Sequence, residues 1–161
     1  MSNEFTIRQA VPEDAHFIAE MVQELADFEK MGDCPELTIE MLSEDLRRGA
    51  VFVKLAFSGE KCAGMCLYYA AYSTWQGQCI HMEDLIVRQD YRRKGLARML
   101  VKSLAKEAVD KKMKRINWNV LNWNTNALQF YETLNAVNLS EKEGWLSFRL
   151  EEERIRELAQ S

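Results

Sequence analysis

The chain has 161 residues, 47% of them hydrophobic, with seven glycines and two prolines, so it can bury one real core and is neither disordered nor collagen-like. A net charge of −4 and no long basic face disfavour nucleic acid as a partner, and no run reaches the roughly 18 apolar residues of a membrane span. The first nine residues hold no apolar signal core, the four cysteines form no C-x-x-C pair, and two histidines are too few for an ordinary zinc site, so a reduced, cytoplasmic protein without a metal is expected.

Phe5 to Ala10 reads as a first strand. Pro12 suits the first position of a helix, and Ile18, Met21, Val22, Leu25 and Phe28 then recur on one side. Gly32 to Pro35 breaks that helix; Thr38 to Arg48 forms a second, ended by Gly49. Val51 to Phe57 and Lys61 to Tyr72 pair as strands about Ser58-Gly59-Glu60. Alternation puts Cys62 and Cys66 on one face, about 13 Å apart and beyond disulfide reach. Trp75 to Gln78 turns into a strand from Cys79 to Val87, on which Glu83 and Asp84 point to opposite faces. A helix over 94–111 carries the stripe Leu96, Leu100, Leu104 and Ala108. Arg115 to Leu121 alternates as a strand, and Thr125 to Leu134 returns to helical spacing behind Asn124, a good N-cap. Leu146 to Leu150 reads as a last strand and Glu151 to Leu158 as a short charged helix. This order predicts one α/β domain over residues 1–161, with a mixed, mostly antiparallel sheet and helices on both faces.

The segment from His81 to Arg98 carries most of the chemistry. A strand with two carboxylates leads through a basic loop into a helix N-terminus, where unpaired amides and the macrodipole favour an anion. Arg92, Arg93 and Lys94 add full charges, and Gly95 allows close backbone approach. The loop is neither a Walker P-loop nor a dinucleotide fingerprint. Its R-R-K-G-L-A run resembles the [RQ]-x-x-G-x-[GA] motif of the GNAT acetyltransferases. Downstream, W-N-x-x-A-x-x-F-Y at Trp123 to Tyr131 resembles their second signature, N-x-x-[AS]-x-x-[FL]-Y. F-E-K at Phe28 to Lys30, Y-S-T-W at Tyr72 to Trp75, V-L-x-W-N at Val120 to Asn124 and E-K-E-G-W at Glu141 to Trp145 extend the likeness over nearly the whole chain. It is similar to the spermidine/spermine acetyltransferase group, nearest to the thialysine N-epsilon-acetyltransferase branch.

That resemblance implies a GNAT domain that uses acetyl-CoA as co-substrate. It assigns cofactor contacts to Leu85, Ile86, Val87, Arg92, Arg93, Lys94, Gly95, Leu96, Ala97, Arg98, Asn124 and Ala127, with a main-chain amide near Leu85 to Val87 as oxyanion donor. It assigns catalysis to Glu83 and Tyr131, and the amine chain to Phe28, Glu29, Asp84, Glu143, Gly144 and Trp145. It also implies a homodimer in which the C-terminal segment takes part. Four departures stand out. Asn135 replaces a helix-ending glycine and is the next best residue for a left-handed position. Glu132 stands where a basic residue often follows the tyrosine. Ser73 stands where the polyamine branch has an aspartate, which favours a small amine over a long polycation. His81 replaces a common aromatic on Glu83's face and reads as a packing histidine.

Acetyl transfer to an amine needs a neutral nucleophile, donors for the oxyanion and a proton for the leaving thiolate. A free alkylamine has a pKa of ~10.4, so its neutral form at pH 7 costs roughly 4–5 kcal/mol. Glu83 is the candidate base, working through water, because a tight carboxylate–ammonium pair opposes deprotonation. Tyr131 is the candidate acid, since a phenol stays protonated at neutral pH. The residues alone equally allow a buried carboxylate satisfied by amides and a core tyrosine on an amphipathic helix. No cysteine lies in the signatures, which points to direct attack without an acyl-enzyme. The expected function is acetylation of a small primary amine; the alternatives are a protein N-terminal or lysine acetyltransferase and a non-catalytic acetyl-CoA or amine-binding module.

Overall fold

The computed structural model describes residues 4–30 and 35–160, so the expected break from Gly32 to Pro35 lies largely outside the described residues. The chain forms two compact units, Met1–Asn119 and Val120–Ser161. In the first, β1 (Thr6–Gln9) leads through a 3-10 turn (Pro12–Asp14) into α1 (Ala15–Phe28). Then come α2 (Ile39–Arg48), β2 (Phe52–Ser58), β3 (Lys61–Ser73), β4 (Gly77–Val87), α3 (Leu96–Asp110) and β5 (Ile116–Asn117). The helix boundaries follow local chemistry: the Thr38 hydroxyl accepts from the Met41 amide, and Gly49 closes α2 at φ 69°.

The sheet order is β1-β2-β3-β4-β5, antiparallel except for the β4–β5 pair. One face packs Val53, Leu55, Phe57, Met65, Leu67 and Ile86 against Ala15, Ile18 and Met21 of α1 and Leu42 of α2. The stripe Leu96, Leu100 and Leu104 of α3 is buried on the other face, each leucine stabilising by roughly 1.5–3 kcal/mol. An ionic knot then fastens α3 to the sheet: Glu107 accepts from Lys54 of β2 at 2.6 Å and from the Tyr68 hydroxyl of β3 at 2.6 Å. The expected α/β class, with a mostly antiparallel sheet and helices on both faces, is what this unit shows.

Two bulges correct the strict alternation read from the sequence. Ala56 pairs with Gly64 and Phe57 with Cys62, which leaves Ala63 over on β3. Cys62 therefore joins the α1–α2 core and Cys66 does not, so the two cysteines do not share a face. On β4, Leu67 pairs with Asp84 and Tyr68 with Met82, which leaves Glu83 over. Asp84 follows Leu67 to the α1–α2 face. Tyr69 and its partner His81 lie on that face too, and Glu83 lies 3.4 Å from His81. Glu83 and Asp84 thus share a face instead of opposing each other.

The strand expected from Arg115 to Leu121 is shorter. β5 pairs with β4 only at Ile80↔Ile116 and His81↔Asn117. Immediately beyond, the Glu83 bulge bends β4, and β5 does not follow it. Among the described residues the outer edge of β4 past His81 has no strand partner, while its other edge stays paired with β3.

In the second unit, α4 (Thr125–Glu132) starts where the Asn124 side chain accepts from the Ala127 amide at 3.3 Å. It ends as expected, with Asn135 left-handed at φ 55° and the Ala136 amide bonded to the Tyr131 carbonyl. An unforeseen α5 (Leu139–Glu143) runs from the Asn138 cap to Gly144, and α6 (Glu152–Gln160) closes the chain. The strand expected over Leu146 to Leu150 does not form. Leu146, Phe148 and Leu150 alternate but are 77%, 88% and 55% exposed. A strand needs a neighbour for its amides and carbonyls, and this unit has no strand among its described residues.

Candidate active site

The β4 bulge gathers carboxylates. Glu83, at the bulge, lies 3.4 Å from His81 Nε2 and near enough to the Tyr69 phenol for its charge to act there. Tyr69 and His81 stack, with centroids 5.0 Å apart and planes 23° from parallel. The Glu83 side chain stays 53% exposed, so its remaining lone pairs are open to a ligand. Asp84 is more shielded: burial first, then the charges of Glu83 and Glu29, push its carboxyl up to about 6. Glu29 caps the C-terminus of α1, next to Phe28, which is 47% exposed. Burial and the Glu83 charge likewise raise the Tyr69 phenol, which keeps it a donor. Three carboxylates held close together and short of counter-charge attract an ammonium group, which relieves their mutual repulsion.

The anion cradle is present at the other end of β4. Gly95 adopts the left-handed conformation at φ 79° as N-cap of α3, and no side chain caps that helix. Among the described residues a side-chain carbon at Gly95 would meet nothing within 4 Å, so a ligand can approach the backbone closely there. Arg93 is also left-handed, at φ 64°. Two of the three expected cations are engaged within the unit: Arg92 Nε donates to the Val87 carbonyl at 2.9 Å, and Lys94 bonds Glu4 at 2.6 Å. Arg92 therefore joins the loop to the end of β4. Of Leu85, Ile86 and Val87, Ile86 turns its side chain into the core, so its use to a ligand is through the backbone. Gly64 lets β3 close on this segment, since a Cβ there would lie 2.6 Å from the Ile86 carbonyl. The residues fit a pyrophosphate: a left-handed glycine with open space beside it stands at a helix N-terminus, whose dipole favours an anion.

The second unit carries the rest. Tyr131 is partly buried on α4 beside Phe130, four residues after Ala127. Trp145 donates to Glu143 at 2.7 Å across Gly144, which is left-handed at φ 74°, so these three form one self-closed turn. The amine-binding residues expected from sequence thus fall into two sets, Phe28, Glu29 and Asp84 with Glu83, and the turn Glu143 to Trp145.

Tyr69 was not foreseen. Its signal is a cross-strand partner that only the register supplies. Ser73 also has another role than expected. It is 4% exposed, and its hydroxyl accepts from the Trp75 and Gln76 amides, closing the β3–β4 turn. An aspartate accepts those same bonds, so the position reads as a turn closure and not as a ligand contact. A shallow hollow lined by Phe17, Glu24, Cys62, Arg88 and Tyr91 includes none of the clustered carboxylates, and Arg88 within it bridges Glu20 and Glu24. Among the described residues, no helix is long and apolar enough to cross a membrane.

Residues 18–136 match the acetyltransferase (GNAT) family. The chain is similar to the thialysine N-epsilon-acetyltransferase of Caenorhabditis elegans, 47% identical over 155 residues that cover 96% of this chain and 97% of that one. It is 38% identical over 163 residues to the thialysine N-epsilon-acetyltransferase of Sus scrofa, covering 95% and 96% of the two chains. Among solved structures, an integron cassette protein of V. cholerae has the same fold, with a TM-score of 0.80 at 22% identity over 99% of this chain and 100% of that one.

Proposed function

Because the chain belongs to the GNAT acetyltransferase family and is an acyltransferase, we propose that it moves the acetyl group of acetyl-CoA to the primary amine of a small lysine-like amino acid such as thialysine, or of a short diamine. The observation that carries this reading is the carboxylate cluster of Glu83, Asp84 and Glu29. Burial and the mutual repulsion of these charges favour an incoming ammonium group. The near full-length likeness to two thialysine acetyltransferases supports the amino-acid acceptor.

In this reaction the cradle at Gly95 to Arg98 holds the pyrophosphate, and the open edge of β4 at Leu85 to Val87 offers main-chain donors to the thioester carbonyl. Glu83 takes the amine's proton through water. Asp84 holds the cationic form on arrival. Tyr131, by its place in the second signature, returns a proton to the departing thiolate. A thioether in the acceptor withdraws electrons and eases formation of the neutral amine, which favours thialysine over lysine. The chain acts in the cytoplasm as a homodimer, with the C-terminal segment taking part in the interface.

The test is a panel of thialysine, lysine, diaminopropane, spermidine, spermine and an N-terminal peptide, read by thiol release from acetyl-CoA. The expected result is the highest kcat/KM for thialysine or the short diamine. Preference for spermine or for the peptide would overturn the assignment of substrate, and no release with any amine would overturn the activity.

A further inference from the structure

The β4 bulge does more than expose a carboxylate. It adds Asp84 to the face on which alternation already sets Glu83 beside His81 and Tyr69, and there a Glu83 oxygen lies 3.4 Å from the imidazole Nε2. The imidazole is held in turn: it stacks on Tyr69, pairs across to Asn117 of β5, and its side chain is 20% exposed. A ring that served only to fill space would not need an edge nitrogen aimed at a half-exposed carboxylate. We propose that His81 stands behind Glu83 as a proton acceptor, so that the two form a relay that drains the acceptor amine. The proposal rests on the amine acetylation argued above.

The relay balances as a proton transfer. The ammonium N–H bond breaks, and its electron pair stays on nitrogen as the nucleophile. The proton passes to Glu83, directly or through one water, and onward to His81 Nε2. This leaves a carboxylate–imidazolium pair, and the imidazolium then gives its proton to solvent. The second step takes the proton off the carboxylate, so that Glu83 is again free to accept. The titratable and charged groups around the ring can be named among the described residues. They are Tyr69 from β3, Glu83 and its neighbour Asp84 from β4, and Glu29 at the end of α1, which acts on Asp84; β5 presents the neutral Asn117. Among the described residues Glu83 pairs with His81, so the imidazolium has the carboxylate as its partner. His81 acts through Glu83 and is thus a positioning residue rather than a group that touches the substrate.

The experiment is the pH profile of kcat and of KM for thialysine in the wild type, His81→Phe and His81→Gln. Phenylalanine keeps the stack on Tyr69, and glutamine keeps a polar contact without taking up a proton. In the wild type, kcat should fall along a one-proton limb below neutral pH. Both variants should lose that limb and turn over roughly 10²-fold more slowly at pH 7.5, the low end for a positioned base, with KM little changed. The second readout is independent of activity. With only His16 and His81 in the imidazole NMR spectrum, Glu83→Gln should alter the His81 titration curve and leave that of His16 in place. Wild-type kcat and the same acidic limb in a folded His81→Phe, or an unaltered His81 curve in Glu83→Gln, would overturn the relay while amine acetylation stands. An inactive wild type would overturn both.

Discussion

Asp84→Asn converts the electrostatics of the site into a stability measurement. The Asp84 carboxyl sits at about 6 against an ordinary 3.8, because it is buried and faces the charges of Glu83 and Glu29. Taken at ~1.36 kcal/mol per pH unit, that rise is a penalty of about 3 kcal/mol on the ionised native state. The folded chain holds this proton more tightly than the unfolded chain does. Stability is therefore fully present below the unfolded value and is lost as pH rises through about 6. Integrated over both states, about 1 kcal/mol of the loss has occurred by pH 4.5 and the remaining ~2 kcal/mol follows by pH 8. Asparagine keeps the shape and removes the charge. The variant's advantage over the wild type should therefore grow by about 2 kcal/mol between pH 4.5 and pH 8. Urea unfolding at the two pH values, followed by tryptophan fluorescence with unchanged m, measures it. The same variant should bind the amine more weakly, since a site that attracts a cation is kept at a cost in stability. A stability difference that stays constant with pH would refute the account of this carboxylate.

Three further outcomes are expected. Tyr131→Phe should lower kcat by roughly 10²–10⁴-fold with acetyl-CoA affinity nearly intact; full turnover at neutral pH would remove the tyrosine from the chemistry. Gly95→Val places a branched side chain at φ 79° and into the open space beside the backbone, so acetyl-CoA affinity by calorimetry should collapse; an unchanged affinity in a folded variant would put the cradle elsewhere. Burial pushes the Glu107 carboxyl up, but bonds from Lys111, Lys54 and Tyr68 together outweigh it and bring it down to about 2. That stability is present above an ordinary 4.5 and is lost as pH falls toward about 2, so Glu107→Gln should destabilise by about 3 kcal/mol at pH 7 and much less at pH 3.

Much of this protein is legible one segment at a time. Thr38 and Gly49 bound α2, Asn124 starts α4 and Asn135 ends it, because a helix cap is a contact within four residues of its own chain. The loop from Arg92 to Gly95 is likewise local, since a left-handed glycine before an apolar stripe makes a cradle wherever the helix packs. What alternation could not supply was the register between strands. A bulge belongs to two strands at once, and one unmatched residue reverses every side chain beyond it. That is why Asp84 joins Glu83 on one face and why Cys62 and Cys66 part, and the β3–β4 register is what sets Tyr69 beside His81 and the candidate base. The alternation of Leu146, Phe148 and Leu150 shows the converse limit. Those residues have the pattern of a strand, but a strand exists only where another edge satisfies its backbone, and no residue carries that edge in its own sequence.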